Sequence, residues 1–91
     1  ARQADDWGMI WEAVPDADFE ANWRGKAAHL AAGPTTAYAE VKSVIRGSWD
    51  NNFEEQLTLE AQAQGVCGKS RDFKEGVLAF TEKRPATFEG R

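Results

Sequence analysis

Apolar residues recur at helical intervals along most of the chain, and glycine, proline and serine cut that recurrence into short pieces. Phe19, Trp23, Ala27 and Leu30 follow steps of four, four and three between Asp16, a cap candidate, and Gly33, a stop, which predicts a first complete helix. Pro34 suits the first position of a second helix, whose stripe is Tyr38, Val41, Val44 and Ile45, with Trp49 extending it. Asn52 with Glu55 three residues later is the reciprocal capping pattern and opens a third helix. Phe53, Leu57 and Ala61 form one stripe on it, and Leu59, Ala63 and Val66 another, as expected of a helix held between two surfaces. The run Gly65 to Ser70 is predicted to break it. Ser70 then caps a fourth helix with Phe73, Val77 and Phe80 on its apolar face, Lys83 and Arg84 in its last turn and Pro85 just beyond. Gly76 inside that helix costs about 1 kcal/mol relative to alanine, which predicts close approach by another backbone or a ligand.

Ahead of these helices, Ala1 to Trp7 reads as the end of a helix closed by Gly8, and Met9 to Val14, bounded by Pro15, reads as a short strand or extended piece. The fold class is therefore mainly α, with about four helices and one short extended segment near the start.

Composition adds a constraint on burial. Four tryptophans, five phenylalanines and one tyrosine in 91 residues are a heavy aromatic load, and each ring can bury roughly 150–250 Å². A chain this short hides only about 60 per cent of its unfolded surface. Trp23, Tyr38, Trp49 and Phe53 are read as core first, with part of the aromatic surface left for another chain. The net charge of −4 argues against a duplex nucleic-acid partner. Lys69, Arg71, Lys74, Lys83, Arg84 and Arg91 nevertheless gather near the end, where they offer a small anionic ligand a local cationic site. Cys67 is the single cysteine, so no internal disulfide is possible and a reducing compartment is the natural reading. No apolar run approaches the roughly 20 residues of a membrane span, and the first residues lack the order of a secretion signal, giving a cytoplasmic reading without membrane contact.

Residue chemistry alone points to no reaction. His29 stands alone and faces away from the Phe19/Trp23 stripe, Cys67 has no neighbouring motif to activate it, and no metal-ligand spacing or phosphate-cradling glycine loop is present. Asp5/Asp6 and Glu54/Glu55 are adjacent pairs, and adjacent helix residues do not face one another, so solvated helix-end charges explain them better than an acid/base dyad does. No catalytic residue and no metal ligand is assigned.

The order of residues from Ser70 to Arg91, Ser-Arg-Asp-Phe-Lys-Glu-Gly-Val-Leu-Ala-Phe-Thr-Glu-Lys-Arg-Pro-Ala-Thr-Phe-Glu-Gly-Arg, resembles the C-terminal end of the crotonase (enoyl-CoA hydratase/isomerase) superfamily. The resemblance extends back through Ala1 to Pro15, where Trp7-Gly8-Met9-Ile10-Trp11 is most similar to the branch containing the isomerase of phenylacetate breakdown. It implies a segment of a longer enzyme, consistent with a chain that begins at Ala1. Residues 1–15 would be the end of a core-domain helix and a short strand, and residues 16–91 a helical domain for oligomerisation and CoA contact. It further implies an acyl-CoA substrate processed through a stabilised enolate, isomerisation rather than hydration, no cofactor beyond the CoA thioester, and a homo-oligomer, either a trimer or a trimer pair. The oxyanion hole and catalytic acids would lie outside these residues. Carried over by position, Phe80 would stack on the CoA adenine and Lys83 would reach the 3′-phosphate, their spacing of three placing both on one helix face. A competing reading is a free-standing, non-catalytic helical interaction module. The two differ in what they predict for the surface: many exposed aromatics for the enzyme segment, a closed core under a polar exterior for the module.

Overall fold

The computed structural model describes residues 1–91 and contains five helices: α1 (Arg2–Asp6), α2 (Asp16–Ala31), α3 (Thr35–Gly47), α4 (Phe53–Gly68) and α5 (Arg71–Glu82). The short α1 ends as its sequence predicts. Gly8 donates to the Asp5 carbonyl at 2.8 Å and Met9 to the Ala4 carbonyl at 2.9 Å, with Gly8 at φ 69°, the paired closure that favours glycine in the left-handed position. Residues 9–15 carry no strand pairing; the segment runs without regular structure into α2. It is held by side chains instead: the Ala13 amide donates to Asp5 Oδ2 at 2.9 Å, and Lys26 bonds Glu12 while lying 5.5 Å from the Trp11 ring centre. Asp5 is thus a structural acceptor rather than a solvated helix-end charge.

Three boundaries ahead of α5 differ from the pattern-based expectation. Asp16 is the first helical residue of α2, not its cap, because Pro15 already occupies the cap position. Pro34 likewise caps α3 instead of opening it. Gly65 does not break α4, which continues to Gly68; its backbone bonds are uninterrupted there, and a single glycine costs less than ending a helix. The start of α4 follows expectation: Asn52 Oδ1 accepts from the Glu55 amide at 3.0 Å and Glu55 Oε2 from the Asn52 amide at 2.9 Å. Ser70 Oγ accepts from the Phe73 amide at 3.0 Å and caps α5.

Packing runs in sequence order, α3 on α4 and α4 on α5, so α4 lies between two neighbours. The assembly is a flat layer, 42 × 39 × 19 Å, with a radius of gyration of 16.7 Å, against about 12 Å for a closed domain of this length. Its accessible surface is 7591 Å², where about 5,300 Å² is expected of a folded monomer of this mass. Only Ala79 and Asp72 are buried. Trp23, Trp49 and Phe53 are not core residues in this chain, being 44%, 91% and 76% exposed, because too little packs on their side of the layer. Tyr38 is the half-buried exception, its ring pressed against the backbone at Gly33.

Candidate functional site

The residues that sequence singled out lie at the C-terminal end of α5. Phe80 is on the last turn and 88% exposed, which excludes a core role within this chain. Lys83 lies one residue past the helix, at φ 55° and ψ 39°, the one non-glycine residue with positive φ. The expectation that Phe80 and Lys83 share a helix face is corrected accordingly: Glu82 is the last helical residue, and the backbone turns left-handed at Lys83. Arg84, expected in the last turn, is also outside the helix. Lys83 takes part in none of the six ion pairs and is exposed.

The tail after Lys83 folds back along α5 and is fastened at several points. Arg84 grips Glu75 with two prongs, Nη1 to Oε1 at 2.6 Å and Nη2 to Oε2 at 2.9 Å, and its Nε donates to Glu82 Oε2 at 2.6 Å. The Thr87 amide donates to Glu75 Oε1 at 2.8 Å. These donors, the Arg84 guanidinium foremost and the Thr87 amide next, hold the Glu75 carboxyl down to about 2, while Glu75 and then Glu82 raise the pKa of Arg84. Further along, the buried Asp72 carboxylate accepts from the amides of Glu89 at 2.7 Å and Gly90 at 2.8 Å. In return the Arg91 carbonyl accepts from the Arg71 and Asp72 amides at the start of α5, and the Gly90 carbonyl accepts from Thr36 Oγ1 at 2.6 Å.

This strap carries Phe88 over Gly76, where its Cε1 would meet an added Cβ at 3.8 Å. The close approach expected at Gly76 is therefore a side chain at ordinary contact distance. Phe88, Phe73, Val77, Phe80, Ala37 and Cys67 wall an open apolar groove of about 400 Å³ between α3, α5 and the tail. Such a groove suits an apolar or flat ring system; Lys83 is not among the residues that line it.

Sequence reasoning missed Asp72, Glu75 and Thr36 as parts of this arrangement. Glu75 and Arg84 are nine residues apart and Thr36 and Gly90 fifty-four, and neither separation is a helical spacing that would have flagged the pair. His29 is exposed, as expected, and no three His, Cys, Asp or Glu side chains converge as metal ligands would. No helix is long and apolar enough to cross a membrane.

Comparison with known proteins gives a consistent result. The profile of the enoyl-CoA hydratase/isomerase family matches residues 1–91. Over all 91 residues the chain is 55% identical to a "Probable enoyl-CoA hydratase" of Rhodobacter capsulatus and 40% identical to the 1,2-epoxyphenylacetyl-CoA isomerase of Escherichia coli, covering 35% of each. Its fold superposes on the crystal structure of an enoyl-CoA hydratase from Geobacillus kaustophilus with a TM-score of 0.87 at 28% identity, covering 99% of this chain and 34% of that one. The chain thus spans about a third of the length of the relatives it matches.

Proposed function

The chain belongs to the enoyl-CoA hydratase/isomerase family, and from that premise we propose that it is the C-terminal helical part of an enzyme acting on acyl-CoA thioesters through a stabilised enolate. In this reading the chemistry is done by residues outside the 91 described. Residues 1–15 join the catalytic core, and residues 16–91 serve oligomerisation as a trimer or trimer pair, closure of the acyl pocket and contact with CoA. Phe80 offers its ring to the adenine and Lys83 its ammonium to the 3′-phosphate.

The observation that carries the proposal is the pairing of an exposed Phe80 with an unpaired Lys83 at the end of α5, in a chain matched over its whole length by this family. An exposed phenylalanine beside an uncommitted lysine has little value to a self-contained helical module. The 18 large apolar side chains left exposed favour the enzyme segment over such a module as well.

Enolate formation leads to isomerisation or to hydration. Isomerisation is the outcome proposed, on the Trp7–Trp11 stretch and the 40% identity over these 91 residues to the Escherichia coli isomerase. The test is kinetic. In the intact enzyme, Phe80→Ala with Lys83→Ala is expected to raise KM for the thioester more than it lowers kcat, because binding remote from the reacting atoms is lost. An unchanged KM refutes the CoA contact. Product analysis with an enoyl-CoA substrate separates a shifted double bond from a hydroxyacyl product, and exclusive hydration refutes the isomerase assignment.

A further inference from the structure

Two helices of this chain end with the same pair of backbone bonds. At α1 the left-handed residue is glycine, Gly8. At α5 the Lys83 amide donates to the Phe80 carbonyl at 3.3 Å and the Arg84 amide to the Ala79 carbonyl at 3.0 Å, and the left-handed residue is a lysine. Glycine is the usual occupant because a Cβ is unfavourable there, and a side chain held in that region marks a place where the surroundings enforce the geometry.

The surroundings here are acidic. Glu82 precedes Lys83 directly, and Glu75 lies two turns back on the same helix. Both carboxylates are bonded to Arg84. The Arg84–Glu82 bond closes a small ring across the Lys83 backbone, and the two-pronged grip on Glu75 anchors that ring to α5. Arg84 thereby spans the Lys83 reversal and takes up the two acids nearest to it along the chain.

We propose that Arg84, anchored by Glu75, is a positioning residue that keeps Lys83 left-handed and free of internal acids, so that its ammonium is available to a phosphate of the bound CoA. This rests on the reading of Lys83 as the phosphate contact. Arg84 itself is committed to Glu75, Glu82 and the Pro85 carbonyl, and is not proposed as the phosphate ligand. The pair stays ionised well below neutral pH, since Arg84 depresses the Glu75 pKa to about 2, so the device is constant across the working range of an ordinary enzyme.

Calorimetric titration of the intact enzyme with CoA and with 3′-dephospho-CoA isolates the phosphate contact, because the ratio of the two Kd values cancels general effects on folding and on the rest of the molecule. The wild type is expected to prefer CoA by roughly tenfold, the scale of one charge-assisted contact. Lys83→Ala should bring the ratio near one, and Arg84→Gln should reduce it to about threefold or less. Glu75→Gln, which keeps an acceptor for the Thr87 amide, is the second variant should Arg84→Gln not fold, with the same reduction expected. A wild-type ratio near one, or a Lys83→Ala ratio equal to the wild type's, overturns the phosphate contact and the inference with it. A ratio lost in Lys83→Ala but fully kept in the folded Arg84 or Glu75 variant overturns the positioning role alone.

Discussion

Replacing Asp72 by asparagine is expected to release the tail from α5 without unfolding the helix. The Asp72 carboxylate is 4% exposed and accepts from two tail amides, Glu89 at 2.7 Å and Gly90 at 2.8 Å. Asparagine keeps one acceptor oxygen and turns a donor NH₂ toward the other amide, so one bond to a charged group is lost and an N–H is left facing another. Bonds to charged groups contribute about 1.5–3 kcal/mol, and a stranded buried donor adds to the loss. A total near 3 kcal/mol corresponds to roughly a 150-fold rise in the open population of the strap. Hydrogen exchange read by mass spectrometry on the intact protein measures this directly: peptides covering residues 85–91 should exchange about two orders of magnitude faster, while the interior of α5 around Ala79 is unchanged. A rise of less than about fivefold at Glu89 and Gly90 would refute the claim that Asp72 fastens the tail.

Four other perturbations follow from the same geometry. Because Glu75 has its pKa lowered from 4.5 to about 2, its contribution is fully present above pH about 4.5 and is lost as pH falls toward 2; Glu75→Gln should flatten that part of an acid-unfolding curve, and an identical curve would contradict the Arg84 clamp. Gly33→Ala should lower Tm, since an added Cβ would lie 2.7–2.8 Å from the Tyr38 ring carbons; a cost of about 1–3 kcal/mol is expected, relieved in Gly33→Ala with Tyr38→Ala. Gly76→Ala meets Phe88 only at 3.8 Å and should raise Tm through about 0.5–1 kcal/mol of helix propensity, unless a surface outside these residues closes on it, in which case Tm falls. Asn52→Ala removes the side-chain half of the α4 capping box, the acceptor for the Glu55 amide, and should cost about 1 kcal/mol, seen as faster exchange in residues 53–56.

The helices were legible because their signals are local. The capping box at Asn52, the serine cap at Ser70 and the glycine closure at Gly8 each occupy a few consecutive residues, and each forms as read. Where a signal admitted a shift of one residue, a proline took the cap: Pro15 in place of Asp16 at α2, and Pro34, expected inside the helix, at α3. The strap was not legible. Its bonds join Asp72 to Glu89, Glu75 to Thr87 and Thr36 to Gly90, separations of 17, 12 and 54 residues with no periodicity to announce them. Lys83 was found by resemblance, but its left-handed backbone was not, because nothing in the composition distinguishes a lysine that ends a helix from one that follows it.

The division between local and distant signals explains why a layer with almost no interior still has defined elements. The chain exposes roughly 2,300 Å² more than a closed domain of its mass would, an excess on the scale of an obligate interface. A hydrophobic core therefore cannot be what sets the ends of these helices, and the bonds that do set them lie along the chain or in the strap. The aromatic faces of Trp49, Phe53 and Phe80 are left free of that task. In the proposed enzyme they meet surfaces from outside these residues, so truncating Trp49 or Phe53 should weaken assembly more than it disturbs the helices. Circular dichroism beside sedimentation of the intact protein distinguishes the two: loss of helix content at unchanged mass would mean that these rings hold the layer together after all.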